Sequence, residues 1–384
     1  MKLIPFILVG FLFSISVQAQ LPNVFYQSLV DQVSYTEVEE NLTELAGFGE
    51  KTLGSAAEEN ALNWMKDLYQ SWGYTDIELH EVNAYGQSGY NLIVTKTGTL
   101  YPDTYIIVDG HYDTVNGPGA NDNGSGTAVI LETARILKDI STEYSIKFIH
   151  FTAEEWGLFG SYQYVEDIVI PQNLDIRLVF NIDQVGGVAG QINDTITCEQ
   201  DESSPHHNNS ESAAYTNDLM NYMETYGGLF TDLSYAYGSD YVPFQEEGFV
   251  ITGIYEYNVS PYPHTPQDTL ENLDFEFIHK VAKGTLGAVC HFAQATETMG
   301  IHEIDSSKIK IFPNPADRFI QVNTQGNEIQ NVQLMDLSGR ILLEEKFQQN
   351  DFQINTSGLA DGIYILKISN GNSVSNQKII VQHK

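Results

Sequence analysis

Residues 111–126, HYDTVNGPGANDNGSG, place one histidine, two aspartates and four glycines in sixteen positions. The segment before it, TYIIVD at 104–109, has the apolar, β-branched character of a buried strand, and residues 125–138 after it carry helical spacing. A glycine-rich turn between strand and helix has two chemical readings. An anion cradle needs a lysine after its last glycine or a G-x-G-x-x-G turn. Neither is present, and Asp122 among the glycines would repel phosphate. A metal scaffold fits better, because His111 and Asp122 are good zinc ligands and glycines let the backbone close around a cation. Two such residues in a turn are as readily structural, so the rest of the chain decides.

Outward from this stretch, strands and helices alternate. Residues 36–47 and 55–72 have helical apolar spacing; strands are expected at 90–96, 104–109, 145–152, 176–182 and 249–256, and helices at 125–138, 157–168, 212–226 and 274–296. Apolar strand runs between helices predict an α/β fold, a mostly parallel central sheet flanked by helices on both faces. In such a sheet the carboxyl ends of the strands line one crevice, where ligands bind. His111, Glu154 with Glu155, Asp183 and His264 each follow one of the expected strands, and Asp122 lies in the loop after His111. Five protein ligands exceed the three of one catalytic zinc but suit two zinc ions if one carboxylate bridges, with Asp122 the natural bridge. Glu154 and Glu155, leaving a strand as neighbours, point different ways, so one can bind metal while the other serves as general base.

His111-Tyr-Asp113, the Asn121-Asp122-Asn123-Gly-Ser-Gly loop, Ala153-Glu154-Glu155-Trp-Gly-Leu-Phe-Gly-Ser, Asn181-Ile-Asp183 and Pro263-His264-Thr-Pro-Gln-Asp268-Thr occur in order with compatible spacing. Over residues 30–297 they resemble the co-catalytic zinc aminopeptidases of the bacterial leucyl aminopeptidase type. The resemblance implies two Zn2+ per chain, one held by His111 and Asp183, the other by Glu155 and His264, with Asp122 bridging. It implies that Glu154 is the general acid/base, that Asp113 orients the His111 imidazole, and that the peptide after Asp122 is cis. The implied activity is release of N-terminal residues, expected to be apolar, from peptides by a zinc-activated water. Gln184 stands where the family often has methionine, and Ser239-Asp240-Tyr241 lacks the family's histidine. Ser239 reads better as a helix cap than as a substrate contact. Two other readings share the scaffold: a glutaminyl-cyclase-like acyltransferase with one zinc, and an inactive receptor or adhesion domain, against which the complete ligand set and Glu154 argue.

Composition narrows the partners. The formal charge is −33, and 44 of the 51 acidic side chains precede residue 309 against 11 of the 18 basic ones. Such a surface repels phosphate backbones and anionic lipid, which argues against nucleic acid and membrane partners; it serves solubility, or adaptation to salt. Lys2 followed by an apolar run of about fifteen residues ending in Val17-Gln18-Ala19 reads as a signal peptide over 1–19. The run is too short to span a bilayer. Cys198 and Cys290 could pair, closing a loop of about 90 residues, or remain two thiols. His206-His207 reads as a solvated loop and His150, inside an apolar strand, as a core residue. Tyr235, Tyr237, Tyr241, Phe244, Tyr255 and Tyr257 could line an apolar pocket or a core.

After the catalytic region, expected over 20–297, and a polar linker over 298–307, the sequence changes character. KIKIF (308–312), RFIQV (318–322), NVQLMDL (331–337), RILLEEKF (340–347) and GIYILKIS (362–369) read as short strands between turns, a small all-β sandwich over 308–384. Ile311-Phe-Pro-Asn-Pro-Ala316, Asp336-Leu-Ser-Gly339-Arg340, Gly358-Leu-Ala-Asp-Gly362-Ile-Tyr-Ile365 and Lys378-Ile-Ile-Val381 resemble the C-terminal sorting domain of the type IX secretion system. That resemblance implies recognition by the outer-membrane export machinery and a secreted or surface-attached product; a substrate- or wall-binding module is the alternative.

Overall fold

The computed structural model describes residues 22–297, 302–303, 309–323, 331–346, 351–370 and 373–383. The signal peptide expected over 1–19 and all of the 298–307 linker except 302–303 lie outside the described residues. The chain divides into two compact units between Thr296 and Glu297.

The first unit begins with three helices, α1 (Val24–Val30), α2 (Tyr35–Gly47) and α3 (Ala56–Trp72). The side chains of Asn23, Ser34 and Ser55 accept from first-turn N–H groups, and α3 ends at Gly73, whose φ of 91° is open to glycine at little cost. Then follow β1 (Ile77–Ala84), β2 (Gln87–Lys96), β3 (Tyr101–His111), α4 (Gly126–Leu137), β4 (Ser141–Thr142), β5 (Tyr144–Phe151), α5 (Phe159–Tyr164), α6 (Ile170–Gln172) and β6 (Asp175–Ile182). The unit closes with β7 (Thr195–Gln200), α7 (Asn209–Tyr222), β8 (Phe230–Tyr235), α8 (Val242–Glu246), β9 (Ile251–Glu256) and α9 (Phe275–Phe292).

Eight strands form one sheet in the order β1-β2-β5-β3-β6-β9-β7-β8. The four central strands β5, β3, β6 and β9 are mutually parallel, whereas β1/β2, β2/β5 and β7/β9 pair antiparallel. Alternate residues feed opposite faces, as the period of two requires. Leu92, Val94, Ile106, Val108, Leu178 and Phe180 pack with α1–α4, α7 and α9 on one face, while Ile93, Ile107, Ile149 and Val179 pack with Tyr164, Tyr241 and Phe244 on the other. Both faces are therefore covered, which is why these strands read as continuous apolar runs.

Several elements differ from the sequence reading. The helix expected at 157–168 is a turn through Gly157 followed by α5 and one wider turn over Val165–Val169. The helix expected to reach 296 stops at Phe292, and Ala295–Thr296 instead pair with β4. β1, β7 and β8 went unread: β1 and β8 are edge strands with many exposed residues, IELHEVNA and FTDLSY, and the short β7, TITCEQ, likewise has no apolar run to mark a core strand. Cys198 and Cys290, weighed as a disulfide, are free thiols. They sit on β7 and α9, each packed within the apolar core, where both behave as small hydrophobic residues. Among the described residues no helix is long and apolar enough to cross a membrane.

The second unit is all β. Five strands, His302–Glu303, Asn331–Met335, Ile341–Glu345, Gly362–Asn370 and Ser373–Val381, form one sheet, and Lys310–Phe312, Phe319–Asn323 and Asp351–Asn355 form another. Ile320, Val322, Ile354, Val332, Leu334, Leu366 and Ile379 from both sheets share one core, the packing of a small β-sandwich.

Candidate metal centre

The chain leaves β3 for β5 on one side and leaves β6 for β7, which lies beyond β9, on the other. A crevice opens between the carboxyl ends of such strands. Four segments deliver side chains to it: His111 ends β3, Glu154 and Glu155 follow β5, Asp183 follows β6, and His264 lies in the loop after β9. The loop from Gly119 to Gly126 folds back to bring Asp122 in. Gly119, at φ 60°, has no room for a side chain, because a Cβ there would come to 2.3 Å from the Asp122 carbonyl oxygen. The Asp122–Asn123 peptide is cis.

All five expected ligands meet. His111 Nε2 lies 3.2 Å from Asp122 Oδ1 and 3.4 Å from Asp183 Oδ1. His264 Nε2 lies 3.1 Å from Asp122 Oδ2 and 2.9 Å from Glu155 Oε2. Asp122 thus turns one carboxylate oxygen to each imidazole. Glu154 Oε2 stands farther out, 4.0 Å from His111 Nε2. Ligand atoms of His111, Glu154 and Asp183, and of His111, Asp122 and Glu155, form two groups whose members all lie within 4.8 Å of one another.

The electrostatics suit a cation. Asp183 Oδ1 and Glu155 Oε1 are buried oxygens without a hydrogen-bond partner among the described residues; buried charges are costly unless paired or metal-bound. Burial, with Asp122 and Asp113 beside it, pushes Glu155 up to about 9. Burial also raises Glu154 well above the usual carboxylate range, reinforced by Asp183, Asp240 and Asp113 and opposed by His111. Asp122 would be raised by burial, yet hydrogen bonds from His111 and His264 hold it at about 2. These shifts describe a crowded anionic pocket, and a dication would relieve it. The donor set, two imidazoles and three carboxylates with one oxygen facing each way, fits two zinc ions.

A second set of contacts holds the first in place. His111 Nδ1 lies 3.1 Å from the backbone carbonyl of Asp113 and 3.6 Å from its carboxylate. An Nδ1–H donated there leaves the Nε2 lone pair for a metal. The Asp113 carboxylate accepts instead from the backbone N–H groups of Glu154 at 3.1 Å and Glu155 at 3.3 Å. The imidazole is thus oriented chiefly by the Asp113 carbonyl, and the carboxylate fixes the segment bearing both glutamates. Asp268 accepts from the N–H groups of Asn121 at 2.8 Å and Asp122 at 3.0 Å.

Ser239, expected as a cap, does not cap α8: its hydroxyl donates to Asp183 Oδ2 at 2.8 Å. Spacing could not reveal this, since Ser239 and Asp183 are 56 residues apart; the Ser-Asp pair was the one available signal. Among the described residues eight non-glycine positions have positive φ, and Ala153, Gln184 and His264 are three of them. His264 is itself a candidate ligand, Gln184 adjoins the candidate ligand Asp183, and Ala153 adjoins the candidate base Glu154, the clustering expected where backbone is held for function.

The remaining candidates fall elsewhere. His206 and His207 lie exposed in a loop. His150 is buried in the core with Nε2 3.0 Å from the Tyr69 hydroxyl, and burial lowers its pKa to about 3. Tyr241 and Phe244 are core residues, whereas Tyr235, Tyr237 and Tyr257 are exposed.

Comparison with known proteins gives the same picture. Residues 91–289, just over half of the chain, match the family described as peptidase family M28, and residues 310–382 match the secretion system C-terminal sorting domain. Aminopeptidase YwaD of Bacillus subtilis is 33% identical over 211 residues, 53% of this chain and 44% of the relative. Leucine aminopeptidase 1 of Paracoccidioides brasiliensis is 28% identical over 70% of this chain and 74% of its own length. The chain therefore spans less than half the length of YwaD, and 22% of a Pseudomonas aeruginosa aminopeptidase that is 36% identical over 121 residues. Among solved structures, the LapA aminopeptidase of Legionella pneumophila superposes with a TM-score of 0.61 at 22% identity, covering 71% of this chain and 75% of that one. BSAP, a zinc aminopeptidase from Bacillus subtilis, gives 0.56 at 18% identity, covering 69% and 96%. At these identities the likeness speaks to the fold.

Proposed function

Because the chain belongs to peptidase family M28, we propose that it is an exported metallo-aminopeptidase that holds two zinc ions and hydrolyses N-terminal residues from peptides. One observation carries the reading: Asp122 presents Oδ1 to His111 at 3.2 Å and Oδ2 to His264 at 3.1 Å, so a single carboxylate joins two donor sets. His111, Asp183 and Asp122 would hold one ion, and His264, Glu155 and Asp122 the other. Zinc bound there supplies Lewis acidity, which lowers the pKa of water and polarises a carbonyl.

The chain's own residues do the rest. Glu154, outside the shortest donor contacts yet with its backbone N–H held by Asp113, takes the proton of the attacking water and returns it to the leaving amine. Asp113 keeps Glu154 and Glu155 in register, Ser239 restrains Asp183, and Asp268 restrains the Asp122 loop. The second unit carries the sorting signal, with the type IX export machinery as its partner and the cell surface or medium as the destination. Deleting 308–384 should leave purified activity intact while trapping the protein in the periplasm.

The test is metal analysis together with a panel of aminoacyl-p-nitroanilides. Two zinc ions per chain with release of nitroaniline supports the proposal. One zinc ion with cyclisation of N-terminal glutamine would move the assignment to the cyclase reading.

A further inference from the structure

Beside Asp183 lies a small cleft of about 50 Å³ whose walls are Gln184, Tyr237, Ser239, Tyr241 and Tyr255 and whose lining includes Glu199. Asp183 and Ser239 belong to the metal centre as well, so the cleft opens directly from it. Glu199 sits on β7 opposite Gly253 of β9, and Gly253 stands opposite Asn181 of β6, two residues before Asp183. A Cβ on Gly253 would come within 3.1 Å of Glu199 Oε2 and 3.1 Å of Tyr241 Cε1. The bare glycine thus leaves room for a carboxylate and an aromatic ring side by side.

Glu199 is only 4% exposed. Among the described residues its carboxylate accepts one hydrogen bond, from the Tyr241 hydroxyl at 3.1 Å, and no lysine, arginine or histidine pairs with it. A buried carboxylate so nearly unpartnered is costly unless something else comes to it. The described elements around it offer no counter-charge; the cleft is the side from which one can arrive.

We propose that this cleft receives the side chain of the substrate's first residue and that Glu199 selects a cationic one, lysine or arginine. The inference rests on the aminopeptidase reading above. Tyrosine rings suit the aliphatic stem of such a side chain and attract its charged end, while the carboxylate accepts a charge-assisted hydrogen bond. A leucine or methionine side chain would exclude water from the carboxylate without replacing the lost hydrogen bonds. The acidic excess of the region before residue 309 also draws cationic peptides toward the crevice. This proposal departs from the apolar preference expected from the sequence.

The test compares kcat/KM for the Lys-, Arg-, Leu- and Met-p-nitroanilides on the full-length, zinc-loaded protein and on Glu199→Gln. The native protein should favour Lys and Arg, and the Lys-to-Leu ratio should fall by roughly 10- to 100-fold in the variant, the worth of one hydrogen bond to a charged group. A ratio taken on one preparation is indifferent to the fraction that folds. Inhibition constants of free L-arginine and L-norleucine should converge in the variant. Preference for Leu or Met in the native protein overturns the assignment of Glu199. So does an unchanged ratio in Glu199→Gln, including an equal loss on all four substrates, which would place the carboxylate on the substrate's α-ammonium group or in the framework. In both cases nitroaniline release keeps the aminopeptidase reading standing, whereas no release from any substrate overturns both.

Discussion

Replacing Glu154 by Gln tests whether this residue moves a proton or binds metal. Gln keeps the side chain's length and one carbonyl oxygen, and the backbone N–H that Asp113 holds at 3.1 Å is untouched. Glu154 Oε2 stands 4.0 Å from His111 Nε2, against 3.2 Å and 3.4 Å for Asp122 and Asp183. The shorter contacts define one donor set without it, so zinc should remain near two per chain. What is lost is general acid–base catalysis, about 10²- to 10⁴-fold in kcat, or roughly 3–5 kcal/mol of barrier. KM should change much less, because the amide still occupies the same space. The assay pairs steady-state kinetics on a p-nitroanilide with zinc content measured on the same dialysed sample. A loss of zinc in proportion to activity would refute the reasoning and make Glu154 a ligand; unaltered kcat with full zinc would refute its part in proton transfer.

Further predictions follow from the surrounding contacts. Ser239→Ala removes the hydrogen bond to Asp183 Oδ2, and chelator competition should find zinc held about 10- to 100-fold less tightly; an unchanged affinity would return Ser239 to a passive role. Asp268→Ala leaves the buried N–H groups of Asn121 and Asp122 without their acceptor. At about 1–3 kcal/mol for each unsatisfied donor, urea unfolding should register the loss; equal midpoints would show that water replaces the carboxylate. His150 is buried neutral with its pKa lowered to about 3, so between the unfolded value near 6.5 and 3 the unfolded chain binds the extra proton. Stability should therefore fall as pH drops through that window, by about 5 kcal/mol in the limit. His150→Gln should flatten that part of the urea-midpoint profile, and an equally steep profile would clear His150. Thiol titration in denaturant without reductant should find two thiols per chain from Cys198 and Cys290; none would mean that they pair.

Much of the site was legible in the sequence because metal chemistry restricts residue types. His111, Asp122, Glu155, Asp183 and His264 had to be histidines or carboxylates, and each follows a segment whose apolar run marks a central strand. Edge strands β1 and β8, exposed and mixed in character, carry no such mark. Five of the second unit's strands were legible between their turns, whereas Asp351–Asn355 and Ser373–Val381 were not read as strands.

The sequence by itself determined the class of fold, the set of metal-competent residues and the change of architecture near residue 300, since each is written in local pattern and side-chain chemistry. The tertiary structure decided what those residues face. It turned the two oxygens of Asp122 toward different imidazoles, moved the Asp113 carboxylate from His111 to the glutamate backbone, and took Ser239 from a helix cap to Asp183. It kept Cys198 and Cys290 as separate core thiols and brought Glu199, an unremarked residue of a strand, to the wall of a cleft beside the candidate metal centre. Partners of this kind are tens of residues apart in the chain, and local sequence carries no record of which distant atoms the strand order will bring within hydrogen-bond reach.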